Sequence, residues 1–467
     1  MALPSDYNET IVALATAPGM GAIAVIRLSG KDAIDIAEKV FVSVKGKPGL
    51  KNKKSYTLHY GKLMEQDRVV DEVLLSLFKA PHSYTGEDVV EISCHGSVFI
   101  QQQVIQLLIK NGARLAKAGE FTLRAFLNGK MDLSQAEAVA DLVSSSSATS
   151  HQLAMLQMRG GYSEEMKQLR KQLIHFASLI ELELDFSEED VEFANREQLK
   201  QLINSLTSHI SRLISSFELG NVIKQGVPVV IAGKPNVGKS TLLNALLNEE
   251  RAIVSHIAGT TRDTIEEEIT LDGIKFRFID TAGIRATSDA IESIGVSRTY
   301  EKLRQSPVII YLFDVNEMTT ASLKEEVDEL KKNIHTENYK FLLVGNKVDQ
   351  SPAANQQIDA PANQQIIYIS AKEKLNIQNL VSLLLKQINK GEINLNDSIV
   401  TNARHVEALQ LSQKALEKVI EGLDKRITTD LLASDIRTAL YHLGEITGEI
   451  TTDNLLENIF SKFCIGK

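Results

Sequence analysis

The chain has 467 residues, of which 43% are hydrophobic and 24% are charged, and its formal net charge is −9. This length predicts about two to four domains, because a single hydrophobic core stops growing well below it. The composition excludes an intrinsically disordered chain. The acidic balance argues against a protein that binds bare nucleic acid through its own basic surface, but an RNA substrate stays open if a partner supplies that surface.

The two cysteines and the apolar runs indicate the cellular compartment in which the protein works. Cys94 and Cys464 lie far apart in the sequence, which excludes a zinc motif and a disulfide framework and favours a reducing cytosol. The first residues have neither a basic segment nor a long apolar run, so we expect no secretory signal. No apolar run reaches the roughly 18–20 residues of a membrane span. We therefore expect a cytoplasmic protein that does not enter a membrane.

Residues 1–122 mix short strand-like runs, such as GAIAVIRLSG, with Gly and Pro turns, which predicts an α+β domain. From residue 123 to residue 225 the pattern becomes helical, with apolar residues such as Leu199, Ile203 and Leu206 at steps of three or four. Residues 389–467 return to the same helical pattern.

Residues 226–388, between the two helical stretches, contain five apolar runs separated by helix-length segments. The runs are VPVVIAG, IKFRFID, PVIIYLFDV, YKFLLVGNKVD and QQIIYISAK. Runs that are apolar on both faces are typical of buried parallel strands. The sequence therefore predicts a multidomain α/β protein: an N-terminal α+β domain, a central helical domain, and a Ras-like P-loop domain (the G domain) with a mostly parallel sheet. The G domain is inserted into the helical domain, which is feasible because the termini of a domain often lie close together.

A phosphate-binding motif opens the G domain. Gly233–Ser240 reads GKPNVGKS and fits the P-loop pattern, with an apolar strand before it and a helical run after it. Its glycines let backbone N–H groups face a phosphate, Lys239 neutralises β- and γ-phosphate charge, and the hydroxyl of Ser240 reaches Mg²⁺. This pattern predicts a nucleoside triphosphate and Mg²⁺ as ligands.

A second motif selects the base. Asn346, Lys347 and Asp349 belong to an NKVD sequence that follows an apolar strand. A carboxylate at position 349 accepts hydrogen bonds from guanine N1–H and from the exocyclic amine at C2, whereas adenine has neither of these two donors. Ser370 and Ala371, after the next strand, are expected to support the base. The predicted nucleotide is therefore GTP.

Two further segments complete the predicted nucleotide site. Gly259–Asp263 (GTTRD) places a threonine hydroxyl, which we assign to Thr261, on Mg²⁺. Asp280–Gly283 (DTAG) ends the strand IKFRFID; Asp280 is expected to hold the water shell of the metal, and the N–H of Gly283 to meet the γ-phosphate. Loops that order on the γ-phosphate and release on hydrolysis form a switch.

The position after DTAG departs from the Ras pattern, in which a Gln orients the attacking water. Here the residue is Ile284, which cannot do so. Two readings stay open from the residues alone: a slow GTPase that waits for a partner, or a different catalytic set. In the second reading, the side-chain oxygen of Asn236 holds a monovalent cation near the phosphates, and Glu292 positions the water.

Taken together, GKPNVGKS, GTTRD, DTAGIR, NKVD and the terminal FCIGK resemble the MnmE (TrmE) family of tRNA modification GTPases. The resemblance runs end to end, through IAVIRLSG, YTGEDVVEISCHG and GEFTLRAFLNGKMDLSQAEAVADLV. It implies a homodimer joined through the N-terminal domains, whose G domains meet when GTP and K⁺ are bound. It also implies an FAD-dependent partner of the MnmG type. Together the two proteins would install an aminomethyl or carboxymethylaminomethyl group on C5 of the wobble uridine of certain tRNAs, with a tetrahydrofolate, such as 5-formyl-tetrahydrofolate, as the one-carbon source.

The resemblance also implies roles for individual residues in the G domain. Asn236 matches the K⁺-coordinating side chain, and Ser255, Ile257 and Thr260 match the loop whose main-chain oxygens complete the K⁺ shell. Ser240 and Thr261 match the Mg²⁺ ligands, and Glu292 matches the catalytic glutamate. The full set of residues expected to contact GTP is Asn236, Val237, Gly238, Lys239, Ser240, Thr241, Ser255, His256, Ile257, Ala258, Gly259, Thr260, Thr261, Asp280, Thr281, Ala282, Gly283, Asn346, Lys347, Asp349, Ser370 and Ala371.

Outside the G domain, Arg27, Glu91, Lys130 and Lys467 match positions associated with the folate. Arginine and lysine suit the glutamate carboxylates of a folate, and a carboxylate suits the guanidine-like edge of the pterin. On the residues alone, Cys464 is either a packing residue or a chemical group. The resemblance implies that it lies beside the folate and acts, as a thiolate, on the uridine or the one-carbon intermediate.

Two rival functions are consistent with the G motifs. A ribosome-assembly GTPase shares them but requires a basic C-terminal RNA-binding domain, whereas this chain returns to a helical pattern with an acidic balance. A non-catalytic nucleotide switch that only recruits a partner is the other rival. The presence of Asn236 and Glu292 argues against it.

Overall fold

The computed structural model describes residues 8–44, 49–185, 195–248, 252–254, 266–280, 308–333, 340–350, 358–360, 364–388 and 398–466. The chain divides into two compact units. Unit 1 comprises residues 1–143, 156–208 and 407–467, and unit 2 comprises residues 144–155 and 209–406. The predicted domain limits at residues 122, 225 and 388 stay predictions.

Unit 1 contains a seven-stranded sheet with the order β3-β4-β5-β6-β2-β1-β7, in which only the β1–β7 pairing is parallel. Its strands are β1 (Ile11–Leu14), β2 (Ile23–Ser29), β3 (Phe41–Ser43), β4 (Thr57–Glu65), β5 (Arg68–Phe78), β6 (Val89–His95) and β7 (Arg114–Leu115). Along β5, Val73, Leu75 and Leu77 are buried, as the two-residue period of a half-buried strand requires. Helices α1 (Ala33–Val40) and α2 (Val98–Lys110) contribute to the core cluster on that face.

The remaining helices follow in chain order, and several pass from one unit to the other. They are α3 (Glu120–Leu127), α4 (Leu133–Ser144), α5 (Ala148–Met158), α6 (Ser163–Asp185), α7 (Arg196–Gln225), α11 (Ala403–Lys425), α12 (Thr429–Thr447) and α13 (Asp453–Phe460). Within unit 1, α6 packs against α12, and α13 packs against α3. The apolar period through Leu199, Ile203 and Leu206 predicted a helix, and these three residues are fully buried on α7.

Unit 2 contains the second seven-stranded sheet, with the order β14-β13-β12-β8-β11-β10-β9. The strands are β8 (Val227–Ala232), β9 (Ala252–Val254), β10 (Glu266–Leu271), β11 (Ile274–Asp280), β12 (Val308–Asp314), β13 (Lys340–Asn346) and β14 (Ile366–Tyr368). The neighbouring strands β11, β8, β12, β13 and β14 pair in parallel. Strand β10 pairs antiparallel with β11 on one side and with β9 on the other. All seven residues of β12 are buried, as expected for a central strand covered on both faces.

Among the described residues of this domain, the sheet is flanked by helices α8 (Lys239–Leu247), α9 (Thr320–Asn333) and α10 (Ile377–Ile388). Each of the five predicted apolar runs forms a strand, so the predicted fold class, with a mostly parallel G-domain sheet, is confirmed. None of the helices in the described part of the chain combines the length and apolar character that crossing a bilayer requires.

Candidate functional site

The phosphate loop connects β8 to α8, and its backbone depends on two glycines. Gly233 has φ +152°, and a Cβ there would lie 2.1 Å from the carbonyl oxygen of Leu312. Gly238 has φ +98°, and a Cβ there would lie 2.4 Å from Nδ2 of Asn346. Neither position accepts a side chain, because the backbone is in a region that favours glycine and the space is filled. The shape of the loop therefore depends on the two glycines of the motif and on the close approach of Leu312 and Asn346.

The predicted residues of the loop lie just before α8 or in its first turn. Nζ of Lys239 donates to the carbonyl oxygens of Gly233 and Lys234 over 2.7 and 2.8 Å, so the amine lies over the loop. Ser240 and Thr241 are the second and third residues of α8, at its positive end. Asn236, the candidate K⁺ ligand, has φ +62°, a left-handed conformation that Asn tolerates better than most residues. Val237 is buried.

A hydrogen bond from Asn346 connects the base motif to the phosphate loop. This residue ends β13 and is 3% exposed. Its Nδ2 donates to the carbonyl oxygen of Val237 over 2.8 Å, and its Oδ1 accepts the backbone N–H of Ala371 over 2.9 Å. One amide therefore joins three of the predicted GTP-binding segments, the other two of which, at Val237 and Ala371, lie 109 and 25 residues from Asn346 in sequence.

Asp349 is oriented by the third of these segments. The hydroxyl of Ser370 donates to Oδ1 of Asp349 over 2.6 Å, and Oγ of Ser370 accepts the N–H of Glu373 over 3.1 Å. This chain of hydrogen bonds fixes the carboxylate that the sequence assigns to guanine recognition. The geometry suits a planar base that offers two N–H donors.

The second predicted half of the nucleotide site falls largely outside the described residues. The backbone of Asp280 pairs with Ile231 at the ends of β11 and β8, so Asp280 lies on the strand next to the one that leads into the phosphate loop. Outside the described residues lie Ser255, His256, Ile257, Ala258, Gly259, Thr260, Thr261, Thr281, Ala282, Gly283, Glu292 and Lys467. Their predicted roles stay predictions.

Of the metal donors predicted for the G domain, Ser240 and Asn236 lie among the described residues. In the part of the chain that the structure describes, no group of three or more His, Cys, Asp or Glu side chains is arranged to hold a metal. Ser240 supplies one hydroxyl at the start of α8. Mg²⁺ commonly takes one or two protein oxygens and completes its shell with phosphate oxygens and water. This donor set suits Mg²⁺ bound together with a nucleotide.

The N-terminal sheet brings two predicted folate residues together. Arg27 on β2 and Glu91 on β6 are cross-strand partners, and Nε of Arg27 donates to Oε1 of Glu91 over 2.8 Å. The guanidinium carbon of Arg27 lies 5.4 Å from the ring centre of Tyr84 and 5.7 Å from that of Phe121. Both rings are within reach of a cation–π contact. Sequence reasoning missed the two aromatic residues, since nothing in their local pattern indicates a long-range contact with Arg27.

Lys130 lies against the loop that carries Tyr84. Its Nζ donates to the carbonyl oxygen of Pro81 over 3.1 Å, and its Cδ would lie 3.4 Å from a Cβ at Gly86. Nearby, Nδ2 of Asn128 donates to the carbonyl oxygen of Thr85 over 2.7 Å. Three of the four predicted folate residues therefore lie on or against β2, β6 and the loop that precedes β6.

The C-terminal tail reaches the same part of unit 1. After α13, Ile465 forms a β-bridge with Ala118, and the N–H of Gly119 donates to the carbonyl oxygen of Cys464 over 3.4 Å. Gly466 has φ +98°, and a Cβ there would lie 2.0 Å from the carbonyl oxygen of Leu14. The tail thus passes between the end of β1 and the start of α3. These are the two elements that also flank Arg27, through its pairing with β1 and its contact with Phe121.

The two cysteines differ in environment. The side chain of Cys94 is buried and lies 3.6 Å from the carbonyl oxygen of Ala24. Burial raises the pKa of Cys94 to about 11, so its thiol stays protonated at neutral pH. Cys464 is exposed. Of the two thiols, Cys464 is therefore the one placed to react with a solute.

A mostly parallel sheet with a glycine-shaped phosphate loop at the end of one strand, and an oriented Asp349 at the end of another, defines a P-loop guanine-nucleotide-binding protein. Sequence profiles of two domains match the chain: "GTP-binding protein TrmE N-terminus" over residues 10–130 and "MnmE helical domain" over residues 133–464. The tRNA modification GTPase MnmE of Flavobacterium psychrophilum is 56% identical over 99% of this chain and 100% of its own length. The MnmE of Cytophaga hutchinsonii is 56% identical over 99% of each chain. Among solved structures, Era of Aquifex aeolicus is 30% identical over 40% of this chain and 66% of its own, with a TM-score of 0.26.

The chain belongs to the MnmE family of tRNA modification GTPases. The predicted family is confirmed. The ribosome-assembly alternative is not supported, because the MnmE helical profile extends to residue 464 and the described C-terminal residues form helices α11, α12 and α13.

Proposed function

We propose that this protein hydrolyses GTP to drive a modification of C5 of the wobble uridine, position 34, in certain tRNAs. An FAD-dependent partner of the MnmG type joins the reaction, which adds an aminomethyl or carboxymethylaminomethyl group. A tetrahydrofolate, such as 5-formyl-tetrahydrofolate, supplies the one-carbon unit. The observation that carries the proposal is the full-length similarity to tRNA modification GTPases. The free thiols Cys94 and Cys464 are consistent with a cytoplasmic site of action.

In the G domain, the chain's own residues bind and orient the nucleotide. The backbone amides at the start of α8 and the amine of Lys239 face the phosphates, and Asp349 accepts the two N–H groups of guanine. Ser240 and Thr261 would hold Mg²⁺, which would supply positive charge beside the β- and γ-phosphates. Glu292 orients the attacking water in place of the missing Gln.

Potassium acts through Asn236 in this proposal. The side-chain oxygen of Asn236 and main-chain oxygens of Ser255, Ile257 and Thr260 would hold K⁺, which would supply positive charge that stabilises the transition state. Turnover in KCl is expected to exceed turnover in NaCl by at least about tenfold. Asn236→Gly keeps the left-handed backbone and removes the amide, so it is expected to bind GDP but to lose the KCl stimulation. Equal slow rates of the wild type in both salts would contradict the K⁺ mechanism.

The folate site is proposed at Arg27, Glu91, Lys130 and Lys467. The forked guanidinium of Arg27 and the amines suit carboxylates, and Glu91 suits the pterin edge. Arg27→Lys and Glu91→Gln are expected to weaken binding of 5-formyl-tetrahydrofolate in calorimetry by about tenfold or more, because the first removes the forked geometry of the guanidinium and the second removes the negative charge. Arg68→Lys, on the exposed start of β5, serves as the control. Unchanged affinity in both site variants would remove the folate assignment from this face.

Cys464 is proposed to act on the uridine or on the one-carbon intermediate. Its thiolate adds to a pyrimidine ring carbon, while the electron pair of the ring C=C bond moves to the conjugated carbonyl oxygen; alternatively, the protonated thiol donates a proton to the ring and is left as the thiolate. The tail that carries it is fixed against Ala118 and Leu14, near Arg27. Cys464→Ser is expected to abolish wobble-uridine modification without changing GTP turnover. Wild-type levels of modification in that variant would exclude a chemical role.

Homodimer formation is proposed through the N-terminal domains. The outer face of the N-terminal sheet exposes Val42, Leu58, Tyr60 and Leu74. Tyr60 and Leu74 are direct cross-strand partners, so the exposed side chains form one patch. A patch of this kind on a soluble domain is typical of a protein–protein contact. Leu58→Glu with Leu74→Glu is expected to give a monomer in analytical ultracentrifugation, and a dimer in that variant would contradict the assignment.

A further inference from the structure

Asp314 lies beside the base motif although it belongs to none of the predicted GTP-binding segments. It ends β12 and is 5% exposed. Its Oδ2 is 2.7 Å from Nζ of Lys347. Because β12 and β13 are parallel neighbours, Asp314 is paired in register with Asn346, the first residue of the motif.

Asn316 extends the contact to the backbone of the motif. Its N–H and its Nδ2 donate to Oδ1 of Asp314 over 2.9 and 3.0 Å. The same Nδ2 approaches the carbonyl oxygen of Lys347 at 3.3 Å, and the N–H of Val315 donates to the carbonyl oxygen of Asn346 over 3.1 Å. Asp314 at the end of β12 thus contacts the amine of Lys347, and Asn316, two residues later, contacts its carbonyl oxygen.

The backbone of Lys347 requires such support. Its φ is +68°, a left-handed conformation that a lysine rarely adopts and that persists where the surroundings fix it. Burial would raise the pKa of Asp314, but the hydrogen bonds from Lys347 and Asn316 outweigh burial and lower it, so the carboxylate stays charged beside the amine. The pair is therefore an ion pair at neutral pH.

We propose that Asp314 is a positioning residue of the guanine site. Through Lys347 it holds the turn from Asn346 to Asp349 in the shape that presents the Asp349 carboxylate to guanine. A turn fixed by protein contacts does not have to be ordered by the ligand, so the cost of binding is smaller. The inference rests on the proposed role of Asp349 as the guanine acceptor.

The test is a double-mutant cycle on nucleotide affinity, measured with a fluorescent GDP analogue on the full chain. Asp314→Asn removes the charge with little change of shape and is expected to raise the Kd for GDP and for GTP alike by about 5- to 30-fold. Its kcat at saturating GTP is expected to stay within about twofold of the wild type, because no reacting atom is touched. Asp328→Asn, an exposed acid on α9, is the matched control and is expected to leave both values unchanged.

Lys347→Met provides the second arm of the cycle. If Asp314 acts through the lysine amine, Asp314→Asn is expected to add less than about twofold to the Kd in the Lys347→Met background. An equal effect of Asp314→Asn in both backgrounds, or a Kd within about twofold of the wild type in the single variant, would overturn the proposal. Failure of the underlying guanine assignment is recognised separately, because Asp349→Asn would then leave the choice between guanine and xanthine nucleotides unchanged.

Discussion

The side-chain amide of Asn346 donates a hydrogen bond to the backbone carbonyl of Val237 over 2.8 Å and so joins the base motif to the phosphate loop. Asn346→Ala leaves the buried carbonyl of Val237 and the N–H of Ala371 without this partner, at a cost of about 1–3 kcal/mol each. We expect the affinity for GDP to fall by at least about tenfold and the G domain to melt earlier in a thermal scan. Asn244→Ala, on the exposed face of α8, should change neither. Unchanged nucleotide affinity in Asn346→Ala would contradict the proposed link.

Asp349→Asn tests the identity of the base. An amide in place of the carboxylate can no longer accept both N–H groups of guanine, but it can donate to the C2 carbonyl of xanthine. We expect affinity for GTP to fall by about 100-fold or more and affinity for xanthosine triphosphate to rise. A competition assay with the two nucleotides measures the change. Retained preference for guanine would place the base elsewhere.

Gly238→Ala tests the shape of the phosphate loop. The added methyl would lie 2.4 Å from Nδ2 of Asn346 at a φ of +98°, so both the backbone and the neighbouring amide must shift. We expect loss of measurable GDP binding. The control is Gly129→Ala, which has φ +68° but no heavy atom within 4 Å of the added Cβ. If both variants bound GDP normally, the loop would have to be more adaptable than its contacts indicate.

Thiol labelling tests the contrast between the two cysteines. Cys464 is exposed, whereas Cys94 is buried with a pKa of about 11. At pH 8 we expect one thiol per chain to react rapidly with Ellman's reagent and the second to react only after denaturation. Cys464→Ser should remove the rapid reaction. Rapid reaction of two thiols in the native wild type would contradict the burial of Cys94.

The buried carboxylate Glu120 predicts a dependence of stability on pH. Burial would raise its pKa, but the ion pairs with Arg114 and Arg124 and the N–H of Lys117 outweigh burial and lower the pKa below the ordinary 4.5. A lowered folded pKa stabilises the fold above the unfolded value, and this contribution is lost as pH falls through the folded pKa. We expect the melting temperature of the N-terminal domain to fall as pH drops below 4.5.

Glu120→Gln is the matched variant for the pH measurement. It removes the titrating group, so the variant should melt earlier than the wild type at pH 7 and should lose less stability between pH 5 and pH 3, a window of about two pH units around the ordinary value. Parallel pH curves for the two proteins would show that Glu120 does not carry the effect.

The sequence predicted the parts of the fold in which local pattern and burial agree. The apolar run of β12 is buried on both faces, and the period of α7 places Leu199 and Ile203 in a core. Strand β10 was not predicted, since it begins with three glutamates. It lies between β11 and the edge strand β9, antiparallel to both, and Glu268 forms an ion pair with Lys275 of β11 that offsets one of these charges.

In the candidate sites too, residues within a continuous motif were predicted, whereas contacts between distant parts of the chain were not. The phosphate loop and the base motif are each a continuous stretch of sequence. The spacing within each stretch is therefore enough to predict the roles of Lys239 and Asp349. Tyr84, on the loop that precedes β6, meets Arg27 of β2 only in the folded domain, and Asp314 meets Lys347 only because β12 and β13 are neighbours in register. A single sequence holds no local signal for such pairs. Resemblance supplied Arg27 and Glu91, and the structure supplies the ring of Tyr84 that lies beside them.

Mass analysis of tRNA nucleosides from cells lacking the protein is the most direct test of the proposal that this GTPase modifies C5 of wobble uridine. The account predicts that aminomethyl- or carboxymethylaminomethyl-type uridines disappear, that the wild-type chain restores them, and that Lys239→Ala, which removes the phosphate-binding amine, does not. Unchanged levels of these nucleosides in the deletion strain would contradict the account.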